Sequence, residues 1–462
     1  MHSPLIMTSL PTLTVLDQPH VSPPPATVGH RSLPLTFFDL IWLTQPPVHH
    51  LFFYQLPMIT KPHFLETIVP TLKNSLSITL QHFFPFVGNL ILSPTGKPEI
   101  RHVDGDYVAV TVAEGGLDFD DLIGNHPRDC DKFYPLVPPL LGDDATKASE
   151  GCLSIPVFSV QVTVFPGAGI SIGMTNHHCL GDASTRFCFM DAWTSIARTG
   201  TDESFLTHGA LPLYDRVIQY PAFDEKYLKQ AKIESFIQDY QPPSLSGPTN
   251  NVRATFVLTR TIVNGLKKRV STQLPSLQYV SSFTVACAYV WSSLAKVRDA
   301  ELHVFGFVID CRSRLVPAAP ATYSGNCLTP CGAMTKRSEL TNKEGFLTAA
   351  KLLGENLHNK LSDKDGILKG AQSWSDLDHL FGEETVSITG VAGTPRIKYY
   401  DTADFGWGKP KKYEIVSIDY SGSISLNACR ESSEDLEIGV CLSATEMTEF
   451  VSVFNSGLED YI

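Results

Sequence analysis

The run Gly169-Ile170-Ser171-Ile172-Gly173-Met174-Thr175 alternates apolar with small or polar residues at period two, and from Ala183 the pattern turns helical. Alternation of that kind puts successive side chains on opposite faces of a half-buried strand, whereas Ala183, Phe187, Met190 and Trp193 fall on roughly one side of a helix. Gly181 sits in the short connection, where a residue without Cβ adopts backbone angles that others resist. A strand, a tight turn and a helix therefore hold Thr175-Asn176-His177-His178-Cys179-Leu180-Gly181-Asp182 at the end of a strand.

His178 at that point is a candidate base, because an imidazole with an unperturbed pKa of about 6.5 accepts a hydroxyl proton near neutrality and passes it to a leaving group. Three uses are open to Asp182: orienting the imidazole directly, capping the helix that starts at Ala183, or pairing with a distant arginine to hold the loop. Spacing alone does not decide for this segment, since His102-Val103-Asp104-Gly105-Asp106 repeats it. That copy lies in a charged, glycine-containing stretch that reads as an exposed turn, without the apolar strand before it or the amphipathic helix after it. Cys179 adjoins the base, but neighbours on an extended segment point to opposite sides, which argues against a covalent nucleophile. Zinc held by His177, His178, Cys179 and Asp182 fails on the same geometry, and no metal is expected.

With 462 residues, the chain exceeds what one hydrophobic core usually organises, so two domains are expected. A net charge of −12 without a long Lys/Arg block argues against nucleic acid and anionic membrane as partners. Prolines interrupt the start Met1-His2-Ser3-Pro4-Leu5-Ile6-Met7, which lacks the charged region of a signal peptide, and no run is long enough to span a bilayer. The ten cysteines form no Cys-x-x-Cys pair and read as reduced core thiols of a cytoplasmic protein.

Along the chain, residues 1–29 read as a proline-rich surface strand and loop, with Met7 an alternative start, and folding proper begins near Leu33. A helix is expected over Phe64 to Leu80, strands around Glu99 to Arg101 and Tyr107 to Val112, and a hairpin from Val157 to Phe165 and Gly169 to Thr175. Thr199 to Asn251, polar and proline-rich, reads as a crossover. Beyond it, strands are expected at Arg253 to Leu258 and His303 to Asp310, and helices at Thr261 to Thr272, Phe283 to Val297 and Lys343 to Leu361. Alternating strands and helices indicate an α/β class.

The motifs His177-His178-x-x-x-Asp182, Tyr323-Ser324-Gly325-Asn326-Cys327 and Asp404-Phe405-Gly406-Trp407-Gly408, in this order and over essentially the whole chain, resemble those of the plant BAHD acyltransferases, which use acyl-CoA thioesters. Leu33-Pro34-Leu35-Thr36-Phe37-Phe38-Asp39 and the Tyr-x-Gly-Asn-Cys element resemble the branch that acylates anthocyanin and flavonoid glucosides. Asn176 to Arg186 is similar to the malonyltransferases of daisy-family flowers. Ser324 departs from the pattern, since the branch usually carries phenylalanine there.

The resemblance implies two chloramphenicol-acetyltransferase-like domains: residues 1–200, a crossover over 201–251, and residues 252–462, with a segment near 385–410 packing against the first. A tunnel between them would admit CoA at one end and acceptor at the other, with His178 in the middle. The implied reaction is malonyl transfer from malonyl-CoA, a co-substrate, to the sugar 6''-hydroxyl of an anthocyanin or related flavonoid glucoside, by a monomer with no bound cofactor. Asp182 would turn away from the tunnel to pair with Arg312, for which the alternative is a surface charge. Asp404, with Gly406 and Trp407, belongs to an element regarded as structural in the family, although its carboxylate invites reading as a second base.

A malonyl group brings a carboxylate whose burial without a partner is costly, so a cation is expected near the thioester. Arg186, one helical turn past Asp182, is the candidate, with the solvent face of its helix as the alternative. Lys267 and Lys268, and Ser281 and Ser282 before a helix, are candidates for the CoA phosphates, although lysines on helices are ordinarily solvated. A hydroxycinnamoyl-CoA-dependent acyltransferase and a catalytically silent binding homologue are the competing functions.

Overall fold

The period-two run forms the strand Gly169–Asn176, and all of its residues are buried. It is not half-buried as the alternation suggests, because it lies inside a seven-stranded sheet whose two faces are both covered. Its polar side chains are accommodated locally: the Thr175 hydroxyl donates to the Pro138 carbonyl. Gly173 lets the chain pass closely, since a Cβ there would come within 2.2 Å of the Leu136 carbonyl oxygen.

The structure, a computed structural model, describes residues 13–140, 151–243, 245–363, 366–374, 383 and 385–459. The start through Met7 lies outside them. The first sheet runs Thr14–Asp17, Val108–Glu114, Phe158–Phe165, Gly169–Asn176, Val48–Gln55, Lys412–Ile415, with His20–Val21 added on Val108–Glu114. Ordered structure thus begins well before Leu33, because residues 14–21 pair with Val108–Glu114. Phe158–Phe165 and Gly169–Asn176 form the hairpin. The second sheet, also seven-stranded, runs Leu328–Lys336, Leu302–Asp310, Val386–Ala392, Ile424–Ala428, Leu436–Ser443, Asn251–Leu258, Arg128–Asp129. A four-stranded sheet, Arg31–Pro34, Glu99–His102, Asn89–Leu92 and Leu153–Pro156, completes the first half.

Helix Ala183–Thr199 buries Thr185, Phe189, Met190, Trp193 and Ile196, and stops where Gly200 takes a left-handed φ of 77°. Ala183 and Phe187, expected inside with Met190 and Trp193, are half-buried, because the first turn of the helix lies at the His178 turn. Helices at Arg260–Gln273, Ser282–Val297 and Gly345–Ser362 cover the second sheet. In the Phe64 to Leu80 region, a π-helical turn over Phe64–Ile68 runs into the helix Val69–Leu80.

The crossover is not structureless. It carries helices Glu203–His208, Pro221–Gln230 and Ile233–Asp239, and Tyr220, Phe223 and Tyr227 close around the buried Phe37 ring. Asp224 accepts from the Phe37 N–H at 2.7 Å, which ties this segment to the first half. The aromatic spacing outweighs the prolines, one of which, Pro221, opens its helix where no N–H is needed.

Each half lends a strand to the other. Lys412–Ile415 joins the first sheet against Val48–Gln55, and Arg128–Asp129 joins the second against Asn251–Leu258. The segment near 385–410, expected to pack with the first half, divides: Val386–Ala392 belongs to the second sheet, while Tyr399 reaches the rings of Phe52 and Phe187. Where the exchanged strands meet, Glu414 pairs with Arg128 at 2.8 Å and with Arg253 at 3.1 Å, and Arg253 reaches Asp419 at 3.3 Å. Burial pushes the Glu414 carboxyl up, but the cations of Arg128, Arg253 and Lys412 outweigh it and hold it down at about 2. Glu414→Ala leaves the buried Arg128 guanidinium without its carboxylate and Arg253 with Asp419 alone, and is expected to cost about 3–5 kcal/mol in chemical unfolding. Glu225→Ala, which removes the exposed pair with Lys229, is expected to leave the unfolding midpoint essentially unchanged.

Candidate active site

At the end of the central strand the chain makes a short 3-10 turn, His178–Leu180, with the buried His177 ring accepting from the Cys179 N–H at 3.3 Å. Gly181 follows because of a close approach: a Cβ there would lie 2.7 Å from the Thr185 Cβ. Asp182 caps the helix, its Oδ1 accepting from Ser184 N at 3.1 Å and Thr185 N at 3.2 Å. The same carboxylate meets Arg312 through two bonds, Nη1 to Oδ2 at 2.7 Å and Nη2 to Oδ1 at 3.1 Å, and accepts from Cys327 N at 3.1 Å. With its oxygens so engaged, Asp182 caps and pairs at once and makes no hydrogen bond to the His178 ring.

Arg312 is 4% exposed and not a surface charge. Its guanidinium also donates to the carbonyls of Tyr323 and Gly325 and to Asp310. Burial opposes its charge, but Asp182 holds it protonated, its pKa raised above the ordinary range.

Two residues to which the sequence assigned no role complete the frame. Asn326 Nδ2 donates to the His178 carbonyl at 3.0 Å and to Asp39 Oδ1 at 3.1 Å. Asp39, fully buried, also accepts from Asn326 N at 2.9 Å and, through Oδ2, from Thr36 N and Oγ1 at 3.0 Å. Thr185 Oγ1 accepts from Gly325 N at 3.0 Å and donates to Gly325 O at 3.1 Å. Ser324, the departure from the family pattern, is buried and gives its carbonyl to Arg216. The Leu33 to Asp39 and Tyr-x-Gly-Asn-Cys elements were visible as motifs, but the bond between Asp39 of one and Asn326 of the other was not.

The His178 imidazole is half-buried. Burial and then the Arg186 cation push it down to about 3, with Asp182 acting weakly the other way, so the free imidazole is neutral at pH 7. Arg186 is half-buried, not on a solvent face, with Nη1 donating to the Gly181 carbonyl at 2.9 Å. Its Nε is buried with no hydrogen-bond partner among the described residues. His50, on the neighbouring strand, bonds the Tyr413 hydroxyl through Nδ1 at 2.7 Å, while its buried Nε2 has none. Cys179 is fully buried, and burial with the Asp39 charge pushes its thiol well up, which suits packing and not nucleophilic attack.

A model of the Transferase family matches residues 12–456. The chain belongs to that family, the BAHD acyltransferases. Among curated relatives, the malonyl-coenzyme A:anthocyanin 3-O-glucoside-6''-O-malonyltransferase of Dahlia pinnata is 53% identical, over 99% of this chain and 100% of that protein. A coumaroyl-CoA:anthocyanidin 3-O-glucoside-6''-O-coumaroyltransferase of Arabidopsis thaliana is 35% identical, over 97% and 98%. The crystal structure of vinorine synthase shares the fold, with a TM-score of 0.68 at 20% identity, covering 96% of this chain and 98% of that one.

In this BAHD chain the remaining candidates lie apart from the base. Lys267 is half-buried on helix Arg260–Gln273 and Lys268 exposed. Ser281 caps the helix Ser282–Val297, its Oγ accepting from Thr284 N at 3.0 Å. No hydrogen bond or ion pair joins Lys267, Ser281 or Ser282 to the His178 turn among the described residues. Asp404 is corrected as a candidate base: its Oδ1 accepts from Gly406 N at 2.8 Å and Gly408 N at 2.9 Å, closing its own loop. Gly406 and Gly408 sit at φ of 100° and 90°, which favour glycine. Phe405 packs edge-on against Trp193, and Trp407 against Tyr54, so the loop braces the helix behind the base. His102, in the second His-x-x-x-Asp copy, is not exposed, because its Nδ1 pairs with the Gly29 carbonyl at 2.8 Å.

Because Asp182 is the buried carboxylate that pairs with the buried Arg312 guanidinium, Asp182→Ala is expected to lower stability by about 3–5 kcal/mol. Displacement of the turn is expected to reduce kcat about 100-fold while His178 stays in the chain. Chemical unfolding and steady-state kinetics check the two effects.

Proposed function

We propose that the chain transfers malonyl from malonyl-CoA to the sugar 6''-hydroxyl of an anthocyanidin 3-O-glucoside or a related flavonoid glucoside, with His178 as general base. The observation that carries the reading is the half-buried guanidinium of Arg186, close enough to the His178 ring to favour its neutral form, with an Nε that has no hydrogen-bond partner among the described residues. The Dahlia pinnata relative supports the donor and acceptor class.

His178 takes the acceptor hydroxyl proton, the oxygen attacks the thioester carbon, and the C–S bond breaks. The imidazolium then returns the proton to the CoA thiolate, and no acyl-enzyme forms. Arg186 receives the donor carboxylate through charge-assisted hydrogen bonds, which a dehydrated malonyl group requires. Asp182 and Arg312 hold the turn without touching substrate. On the CoA side, Lys267 and the N-terminal turn at Ser282 face the phosphates, with Ser281 engaged as the cap. No helix among the described residues is long and apolar enough to cross a membrane. We place the enzyme in the cytoplasm as a monomer, with malonyl-CoA as co-substrate and no bound cofactor.

A competition between malonyl-CoA and coumaroyl-CoA on cyanidin 3-glucoside tests the donor. A malonylated product alone is expected, and a coumaroylated product would transfer the assignment to the activity of the Arabidopsis thaliana relative. Arg186→Ala is expected to raise the malonyl-CoA KM far more than the acetyl-CoA KM, with equal increases counting against the carboxylate role.

The same contact sets the pH dependence. A base works unprotonated, so kcat falls as pH drops through its pKa in the bound complex. Arg186 depresses that pKa, and a malonyl carboxylate seated on Arg186 offsets the depression. The acidic limb of kcat should therefore lie about one unit higher with malonyl-CoA than with acetyl-CoA.

A further inference from the structure

The indole of Trp42 lies flat on the His178 imidazole, with ring centroids 4.0 Å apart and planes 11° from parallel. The stack is placed by the same buried carboxyl residue that holds the turn. Trp42 N donates to the Asp39 carbonyl at 3.0 Å, while the Asp39 side chain binds Asn326, which donates to the His178 carbonyl. Backbone and ring of the base are thus set against one loop.

The lone pair that takes a proton lies in the imidazole plane, so a ring on its face leaves that nitrogen free while fixing the direction in which it points. Proton transfer then puts a positive charge on a ring whose surroundings oppose it: burial, the Arg186 cation and His177 all favour the neutral form. His50 stands close enough to His178 for their charges to interact. The nearby carboxylate, Asp182, is already bound to Arg312 and three backbone N–H groups. Beside a backbone hydrogen bond at His178 and the engaged Asp182, the negative face of an indole is a further feature that attracts the developing cation, and tryptophan presents the strongest such face among the side chains.

We propose that Trp42 is a positioning residue for acyl transfer: its face sets the plane of the His178 ring and stabilises the imidazolium formed when the acceptor hydroxyl proton is taken up. The inference rests on His178 acting as the base. The proton moves from acceptor oxygen to ring nitrogen, the O–C bond forms, the C–S bond breaks, and the thiolate recovers the proton. Trp42 accompanies the charge through these steps and exchanges no atom.

The test replaces Trp42 site-specifically with tryptophans bearing one to four ring fluorines, which drain the negative face and keep the shape of the ring. The expected result is a stepwise fall in kcat, about tenfold across the series, at nearly constant malonyl-CoA KM, with Trp42→Phe intermediate and Trp42→Leu low. A flat kcat across the series, with His178→Ala inactive, would overturn the charge-stabilising role and leave packing. A Trp42→Ala enzyme with higher kcat and lower acceptor KM would overturn it in favour of a gate over the base. If His178→Ala itself keeps near-normal turnover, the base assignment fails, and that outcome is distinct from both. Should Trp42→Leu not fold, the fluorinated series still decides.

Discussion

The contact between Asp182 and Arg312 carries the site, because it joins a turn at the end of the first sheet to the loop after strand Leu302–Asp310 of the second. A guanidinium and a carboxylate taken out of water lose their hydration, and they persist only when remaining donors and acceptors are met. Here they are met by the carbonyls of Tyr323 and Gly325 and the N–H groups of Ser184, Thr185 and Cys327. The pair is better understood as fixing position than as supplying stability, since a buried ion pair gains little over apolar packing. The result is a histidine held between two halves.

The base that results is unusual in being strongly disfavoured as a cation before substrate arrives. A neutral imidazole is ready to accept a proton, yet a weakly basic one has little driving force to do so. Asp182 leans the other way only weakly; in the mechanism proposed above, the indole under the ring and the anion that a carboxylated donor brings to Arg186 add to it. With the roles proposed for Arg186 and His178, specificity for the donor and strength of the base become one electrostatic problem.

Much of the secondary structure was legible from periodicity. The strand before His178, the helix after it, and the helices and strands of the second half fall within a few residues of their expected places, because local alternation reports which face of an element is apolar. The helices of the crossover were not foreseen, since its prolines and polar residues hid Tyr220, Phe223 and Tyr227, whose role depends on Phe37 far upstream. Part of the segment near 385–410 packs on the first half through Tyr399, Phe405 and Trp407, but the strand exchange by residues 412–415 was not legible in the sequence. Within the site, His178 and Arg186 were marked by chemistry at short spacing. Asp39 and Asn326 lie 287 positions apart, and no local pattern announces that they share a bond.

By itself the sequence determined the strand, turn and helix around His178, the α/β class and, through its motifs, the family, because these depend on neighbours a few residues away. The tertiary structure decided which of three uses Asp182 serves, that His102 is buried, that Asp404 closes a loop, and that Trp42 lies on the base. Those are contacts between distant segments, and a carboxylate or an indole acquires its role only from what the fold brings against it.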